Sequence, residues 1–319
     1  MQIKLKMQPR QAPMGWKEFC EKEPYSLALD GFVNRGPRFQ AKGPRANFNH
    51  HEDVNRLATR ATCAQVRIAI MQGLYECFCN NGGVKMVVYA NDCDQDVSLS
   101  WTLLKHGQDK DFIFNPRLIK IVNIEDVIDT TAGAYPFPLD DQKIRQRLME
   151  IAWVFEPYAN FRISGEIDKR DPLAFSNVVY AIEKRVLRFV AEKGKKIPLD
   201  TRYETVYRGS NWIVAKEVGL HAKTGIFSDG CHAYAVFRER PNGRFSWVIG
   251  RMSIYIPLDM KHLVKRLNEQ IDDIVEEQDL WGGGDTIIGS PRINGSIIRP
   301  EDMVCIMKES ILEGRKYAK

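Results

Sequence analysis

The chain of 319 residues is 44% hydrophobic and 27% charged, which is typical of folded globular proteins and excludes a fibrous or wholly disordered chain. This length predicts two domains, each with its own core. The net charge of +5 favours anionic ligands, but we find no basic stripe interleaved with aromatic residues, so extended nucleic acid is not expected as a partner.

The first part of the chain predicts an arm, a strand, a loop and a helix. Residues 1–24 are of mixed polarity and contain prolines, so we expect an N-terminal arm. Residues 25–29 form an apolar run closed by Asp30, which predicts a buried strand that ends at this aspartate. Residues 35–47 are rich in Gly, Pro and Arg and predict an exposed loop, whereas the apolar spacing over 55–74 predicts a helix.

An acidic turn follows the next predicted strand. Residues 84–90 are rich in β-branched and aromatic side chains, and they run directly into Asp92, Asp94 and Asp96 before a helix predicted over 97–105. Open α/β sheets bind ligands at the carboxyl ends of their strands, so this turn is a candidate site.

A further strand predicted over 118–124 leads toward Asp129, and two amphipathic helices are predicted over 141–158 and 172–192. The lysine-rich stretch 193–196 has the character of a linker. These elements predict an α/β domain with a mostly parallel sheet and helices on both faces.

The chain after this linker has a different pattern. Strands are predicted over 212–215, 232–237 and 245–256, and the chain closes with a helix. We therefore expect a smaller α+β domain. The predicted domains are an arm over 1–24, an α/β domain over 25–195 and an α+β domain over 196–319.

Adjacent histidines at His50 and His51 add imidazoles to the acidic residues. Carboxylates as close as those of the acidic turn repel one another by about 4 kcal/mol at ~4 Å unless a cation neutralises them. A mixed Asp and His set favours Mn²⁺, with Mg²⁺ as the other hard cation that carboxylates select. A calcium-type surface loop, or a helix cap formed by Asp96, is the alternative for the turn.

These segments resemble the DHH-family phosphoesterases. Residues 48–51, Phe-Asn-His-His, resemble the motif that names the family, with Asn49 in place of its aspartate. Asp30 is similar to the metal-bridging aspartate of the family, residues 94–100 to its Asp-x-Asp-x-x-x-Ser turn, and Asp129 to its last metal-binding aspartate. In the C-terminal part, the strand, helix and glycine-rich loop resemble the family's glycine-loop substrate domain.

The resemblance implies a metal-dependent phosphoesterase that hydrolyses a small phosphoester or short nucleotide by a two-metal mechanism. His51 and Asp30 are the candidate catalytic residues. The expected metal ligands are the histidine and the acidic residues of the separate segments, namely Asp30, His50, Asp92, Asp94, Asp96 and Asp129. The expected substrate contacts are arginines that clamp phosphate and glycines that offer backbone N–H groups, namely Arg56, Arg251, Gly283, Gly284 and Arg292.

The sequence departs from the family pattern in four respects, and the last three favour a second function. The acidic turn follows the histidine pair instead of preceding it, which requires a permuted or differently wired domain. Ala90, Asn49 and Asp285 stand where the family has histidine, aspartate and histidine. The alternative is a catalytically degenerate relative that binds a nucleotide or phosphorylated ligand as a sensor or partner protein, and a homodimer is compatible with both functions.

The chain contains no apolar stretch of about 18 residues that could span a membrane, and its N-terminus has no secretory signal pattern. Its seven cysteines are scattered and odd in number, which does not indicate a disulfide framework. We therefore expect a cytoplasmic protein.

Overall fold

The computed structural model describes residues 2–80, 82–276 and 279–317. The chain divides into two compact units. Unit 1 comprises Met1–Thr130 and Leu148–Ile197, and unit 2 comprises Thr131–Arg147 and Pro198–Lys319. Each unit combines helices with a mixed sheet, which confirms the predicted α/β class.

Unit 1 is built on one sheet covered by helices. Its strands are β1 (Gln2–Met7), β2 (Ser26–Leu29), β3 (Arg38–Gln40), β4 (Arg45–Phe48), β5 (Cys79–Asn80) and β6 (Gly83–Ala90). Its helices are α1 (Trp16–Phe19), α2 (Thr62–Met71), α3 (Leu74–Cys77), α4 (Gln95–His106), α5 (Lys110–Ile113), α6 (Pro116–Asp129) and α8 (Pro172–Val190), with the larger part of α7 (Gln142–Ile163) and the 3₁₀ turn Glu166–Lys169.

The strand order β1-β6-β2-β4-β3 places the site. Strands β1, β6, β2 and β4 are mutually parallel, whereas the edge strand β3 is antiparallel to β4. The carboxyl ends of parallel strands lie at one edge of a sheet. The residues that follow β1, β6, β2 and β4 are therefore collected at this edge.

Two expectations for the amino-terminal segments were wrong. The arm contains β1, whose Ile3 and Leu5 alternate with lysines and pack on the core while the strand pairs with β6. The expected exposed loop over 35–47 contains β3 and most of β4. Prolines and glycines next to these short strands hid their period-two pattern.

The strand expected over 118–124 is instead part of helix α6. Its Ile and Val content favoured a strand, but the buried Leu118, Ile121 and Val122 have helical spacing. Asn115 caps the helix by accepting a hydrogen bond from the Arg117 N–H, and Pro116 occupies the first turn. The Asn115-Pro116 cap is therefore the sequence signal that indicates a helix here. The helix ends at Asp129.

Unit 2 is built on a second sheet with the order β11-β12-β10-β9-β8-β7. Its strands are β7 (Tyr203–Arg208), β8 (Trp212–Glu217), β9 (Ala233–Glu239), β10 (Phe245–Arg251), β11 (Gly282–Gly283) and β12 (Ile287–Gly289). Its helices are α9 (Ala222–Ser228), α10 (Met260–Arg266), the π-helical turn Leu267–Ile271 and α11 (Pro300–Tyr317). Trp212 and Trp247 are buried in its core.

Among the residues described, no helix has both the length and the apolar character that crossing a membrane requires.

Candidate metal centre

Residues from four separate elements meet at the carboxyl edge of the first sheet. Asp30 directly follows β2, and His50 lies two residues beyond β4. Asp96 lies in the first turn of α4, after β6, and Asp129 is the last residue of α6. We call these four residues the Asp/His cluster.

The ligand atoms of the Asp/His cluster converge on one point. His50 Nε2 lies 2.7 Å from Asp129 Oδ2, 3.3 Å from Asp30 Oδ1 and 3.8 Å from Asp96 Oδ2. One ligand atom from each of the four residues fits within 4.8 Å of all the others. The His50 side chain is fully buried, whereas the Asp129 side chain is 25% exposed, so the cluster opens to solvent on the Asp129 side.

The cluster leaves buried polar atoms without hydrogen bonds. Both ring nitrogens of His50 and Oδ2 of Asp129 have no hydrogen-bond partner within the described chain, although the two side chains are close. Buried polar atoms are normally paired, because an unpaired one loses its interaction with water. Oxygen and nitrogen atoms that converge at these distances without hydrogen-bond geometry suit a cation. This buried Asp/His cluster could hold a metal ion.

Asp30 is held in place by two neighbours. His51 Nε2 lies 2.8 Å from Asp30 Oδ1, and the Thr62 hydroxyl donates to the same oxygen over 3.1 Å. The other ring nitrogen of His51 accepts a hydrogen bond from the buried Arg56. This network assigns the proton of His51 to Nε2. Both nitrogens of the expected catalytic His51 therefore have protein partners, and its ring acts here on Asp30.

Arg56 binds the protein instead of facing outward as a phosphate clamp. Its guanidinium donates to the backbone oxygens of His50 over 3.2 Å and of Asp129 over 3.0 Å, in addition to His51. The side chain thus ties together the two backbone segments that carry ligands. These contacts position the backbone of His50 and Asp129, and the expected contact of Arg56 with substrate stays a prediction.

Asp96 is oriented by the start of α2. Its two carboxylate oxygens accept the backbone N–H groups of Thr62 and Cys63, each over 2.7 Å. A carboxylate is stabilised at a helix N-terminus by these free N–H groups and by the helix dipole. Asp96 therefore does form a helix cap, but it caps α2 and not its own helix.

The other two members of the acidic turn lie outside the cluster. Asp94 is the N-cap of α4 and accepts the Val97 N–H over 3.0 Å. Asp92 forms an ion pair with Arg10, a residue that follows β1. Because β1 was not expected from the sequence, neither was this partner of Asp92.

The charges of the cluster shift one another's pKa values. Burial alone would lower the pKa of His50, but the carboxylates of Asp129 and Asp30 outweigh it and raise that pKa to about 10. Burial opposes ionisation of Asp30, but His51 and His50 hold its pKa well below the usual range. Burial, followed by the charges of Asp129 and Asp30, raises the pKa of Asp96 to about 8. The cluster thus holds more carboxylates than its imidazolium can neutralise.

Sequence reasoning missed Glu125. It lies one helical turn before Asp129 on α6, is 3% exposed, and meets the Gln95 amide over 2.9 Å when the amide nitrogen is turned toward it. Burial, with the charges of Asp129 and Asp96, raises the pKa of Glu125 well above its usual range. A single glutamate in a helix carries no sequence signal for such a position.

Asn49 also has a role that the sequence did not indicate. Its Nδ2 donates to the backbone oxygens of Val33 and Arg35 and to Glu52, and its Oδ1 accepts the His51 N–H over 3.0 Å. An aspartate has no N–H to donate to these carbonyls. The hydrogen bonds of this loop therefore require the amide of Asn49, and the aspartate of the DHH motif could not donate them.

The expected substrate residues of unit 2 are engaged within that unit. Arg251 donates to the backbone oxygens of Asp285 over 2.8 Å and Ile256 over 3.0 Å. The Gly284 N–H donates to Ile287 O, so it is not available to an anion. Gly283 has φ +148°, and a Cβ there would lie 2.3 Å from Ile287 O, so this glycine is needed for the close pairing of β11 and β12.

Arg292 accepts a hydrogen bond at its backbone oxygen from Arg240 over 3.0 Å. This contact fixes the loop in which Arg292 lies, and it involves the backbone of Arg292 only.

No model of a known protein family matches the chain, and no curated protein matches it significantly. The DHH resemblance therefore stays a prediction.

Proposed function

We propose that this chain is a metal-dependent phosphoesterase that holds Mn²⁺ or Mg²⁺ in the Asp/His cluster and hydrolyses a small phosphoester or short nucleotide. The observation that carries the proposal is the convergence of ligand atoms from Asp30, His50, Asp96 and Asp129 within 4.8 Å. These atoms come from elements far apart in sequence, and the ring nitrogens of His50 and Oδ2 of Asp129 have no hydrogen-bond partner among the described residues.

The chemistry of the donors supports manganese over magnesium. Carboxylate oxygens suit both cations, but the imidazole of His50 is a ligand that Mn²⁺ accepts more readily. Ligand atoms of Asp30, His50 and His51 also lie close together, but both ring nitrogens of His51 are paired with protein groups, so the Asp/His cluster is the available donor set. Its four residues would hold the metal, and Asp30 and His50 belong to both groups. When bound, the metal supplies Lewis acidity and lowers the pKa of a coordinated water.

The protein groups of the site are arranged before any ligand binds. Thr62 and His51 hold the Asp30 carboxylate, and two backbone N–H groups hold both oxygens of Asp96. Arg56 fixes the backbone at His50 and Asp129. Ligands held in this way lose little conformational entropy on binding, which favours affinity and a fixed geometry.

Metal content and hydrolysis together test this function. The purified chain should contain Mn²⁺ or take it up, and it should hydrolyse bis(p-nitrophenyl) phosphate or pyrophosphate only with the cation. Asp30→Ala and His50→Ala should each lose bound metal and activity. The exposed Asp111 of the same unit makes no side-chain contact in the described structure, so Asp111→Ala is the matched control and should keep both properties.

The outcomes distinguish the two functions that the sequence left open. Metal-dependent hydrolysis that is lost in both cluster variants supports the phosphoesterase. A chain that binds nucleotides but neither binds metal nor hydrolyses these substrates is the degenerate binding protein. Activity that survives in both variants would contradict a catalytic role of the cluster.

A further inference from the structure

Arg10 lies at the same sheet edge as the Asp/His cluster. It follows β1 by three residues, and its N–H donates to the backbone oxygen of Asn91, just beyond β6, over 2.8 Å. Strand β6 lies between β1 and β2, the strand that ends at Asp30. With neighbouring strands ~4.8 Å apart, Arg10 belongs about 10 Å from Asp30 along this edge.

The Arg10 guanidinium is held firmly but is not saturated. One terminal nitrogen pairs with Asp92, and the group stacks 5.9 Å from the centre of the Phe175 ring. Its side chain is 17% exposed. Within the described chain, its other nitrogens have no acceptor in addition to Asp92. Arginine pairs readily with two oxygens of an anion at once, so these free donors suit phosphate or carboxylate.

Tyr158 supplies a second unpaired donor beside Arg10. Its hydroxyl has no hydrogen-bond partner in the part of the chain that the structure describes. Burial, followed by the charge of Asp92, raises the pKa of Tyr158 far above its usual range, so the hydroxyl keeps its proton. The neighbouring Pro157 interrupts the α7 hydrogen bonds, and Arg185 donates to the freed oxygen of Trp153.

Arg162 completes the group one helical turn further along α7. Its guanidinium lies 6.0 Å from the centre of the Tyr158 ring, and it is exposed without an ion pair among the described residues. Tyr158 lies within electrostatic range of both arginines. Two arginines and the carboxylates of Asp92 and Asp94 lie within electrostatic range of the Tyr158 hydroxyl, so an anion here would be held by the hydrogen-bond donors of Arg10, Tyr158 and Arg162 and not by a net positive charge.

We propose that Arg10, Tyr158 and Arg162 form a subsite for a second anionic group of the substrate, beside the Asp/His cluster. This inference rests on the proposed function and narrows its substrate class to phosphoesters that carry another phosphate or carboxylate about two strand spacings from the reacting phosphorus. A monoester with a neutral leaving group would leave the three donors unused.

Binding of inorganic phosphate tests the subsite without relying on catalysis. The full chain is dialysed against a chelator and titrated with phosphate by calorimetry. Tyr158→Phe deletes a hydroxyl that makes no hydrogen bond among the described residues, and Arg162→Gln removes an exposed charge, so both variants should fold. Arg188→Gln is the matched control, because Arg188 is also exposed and stacks at 5.9 Å on an aromatic ring, that of Trp153.

We expect wild type and Arg188→Gln to bind phosphate equally, and each subsite variant to bind about tenfold more weakly. Unchanged affinity in Tyr158→Phe and Arg162→Gln, or no binding to the metal-free wild type, would overturn the subsite. A chain that binds phosphate in this pattern but neither binds Mn²⁺ nor hydrolyses phosphoesters would retain the subsite and refute the proposed function.

A separate experiment determines which second anionic group the subsite prefers. With Mn²⁺ present, phosphoester substrates of equal size are compared that carry a terminal phosphate, a terminal carboxylate or a neutral hydroxyl. A higher KM for the neutral substrate, which disappears in Tyr158→Phe, supports the subsite, and the lower of the other two KM values identifies the group preferred. Equal KM values for all three would contradict it.

Discussion

Two buried glutamates of unit 1 have opposite surroundings. Glu183 on α8 accepts hydrogen bonds from Trp101 Nε1 over 2.7 Å and from His106 Nε2 over 2.9 Å, and pairs with Lys105 at 2.9 Å. Glu183 is therefore surrounded by hydrogen-bond donors. Glu125 on α6 is as deeply buried, at 3% exposure against 7%, but the charged groups near it are chiefly carboxylates.

The two pKa values diverge accordingly. Burial raises the pKa of both glutamates, but the donors around Glu183 outweigh it and lower that pKa to about 2. At Glu125 the neighbouring Asp129 and Asp96 add to the effect of burial. A carboxylate among donors stabilises the fold by itself, whereas carboxylates crowded together require a proton or a cation. This difference separates a structural polar network from a candidate binding site in the same unit.

The largest expected effect is the loss of the Glu183 network. Glu183→Gln should lower the free energy of unfolding at pH 7 by about 3 kcal/mol, because the folded pKa of about 2 lies below the ordinary 4.5. This stabilisation is complete above about pH 4.5 and is lost as the pH falls toward 2, so wild type and variant should converge in acid. Urea unfolding at pH 7 and pH 3 measures both.

Glu166 provides the control for this comparison. Its ion pair with Lys169 is solvent-exposed on both sides. Glu166→Gln should therefore change the free energy of unfolding by less than about 0.5 kcal/mol. If Glu183→Gln cost no more than this control, the donors around Glu183 would not provide the stabilisation described.

Cation binding should give the next effect. Mn²⁺ at about a hundred times its dissociation constant should raise the free energy of unfolding of wild type by about 2.7 kcal/mol. Asp30→Asn should lose this gain, because Asp30 belongs to both donor groups. Glu183→Gln should keep it, although that variant starts from lower stability. Urea unfolding with and without Mn²⁺ measures the gain. An equal gain in Asp30→Asn would show that Mn²⁺ binds outside the Asp/His cluster.

A smaller loss is expected when Asn49 is returned to the aspartate of the DHH motif. Asn49→Asp removes donors to the Val33 and Arg35 oxygens and places a carboxylate against Glu52. We expect the free energy of unfolding to fall by about 2 kcal/mol, as for other buried groups left unpaired. Thermal unfolding measures it, and an Asn49→Asp protein as stable as wild type would show that the amide bonds contribute little.

The smallest effect should be that of Glu125→Gln. Burial and the charges of Asp129 and Asp96 raise the pKa of Glu125 and so disfavour its charged form, and glutamine has the same shape and no charge. The free energy of unfolding should stay within about 0.5 kcal/mol of wild type. A loss as large as that of Glu183→Gln would remove the distinction between the two glutamates.

Residues at strand ends could be located from the sequence. Asp30 closes a run whose four residues are all buried, and Asp96 follows the longest buried strand, so both were expected at a ligand-binding edge. A strand buried on both faces of a parallel sheet is recognised in the sequence as a run of apolar residues, and parallel pairing places the carboxyl ends of such strands together. His50 was expected from its motif, even though the strand before it was taken for a loop.

Long-range partners could not be located in this way. Asp92 pairs with Arg10 across 82 positions of the chain, and Arg56 reaches Asp129 O across 73. Such contacts depend on the final placement of elements and leave no local periodicity. For the same reason, the sequence did not predict that Thr131–Arg147 belongs to unit 2, whereas the chain from Leu148 onward returns to unit 1.

The most direct test of the metal centre is the position of the bound cation. Crystals of the full chain grown with Mn²⁺ should give an anomalous scattering peak at the manganese edge within coordination distance of Asp30, His50, Asp96 and Asp129. The peak should vanish in Asp30→Asn crystals of the same form. A manganese peak at other residues, or none at the Asp/His cluster under saturating Mn²⁺, would contradict the metal centre and the function proposed from it.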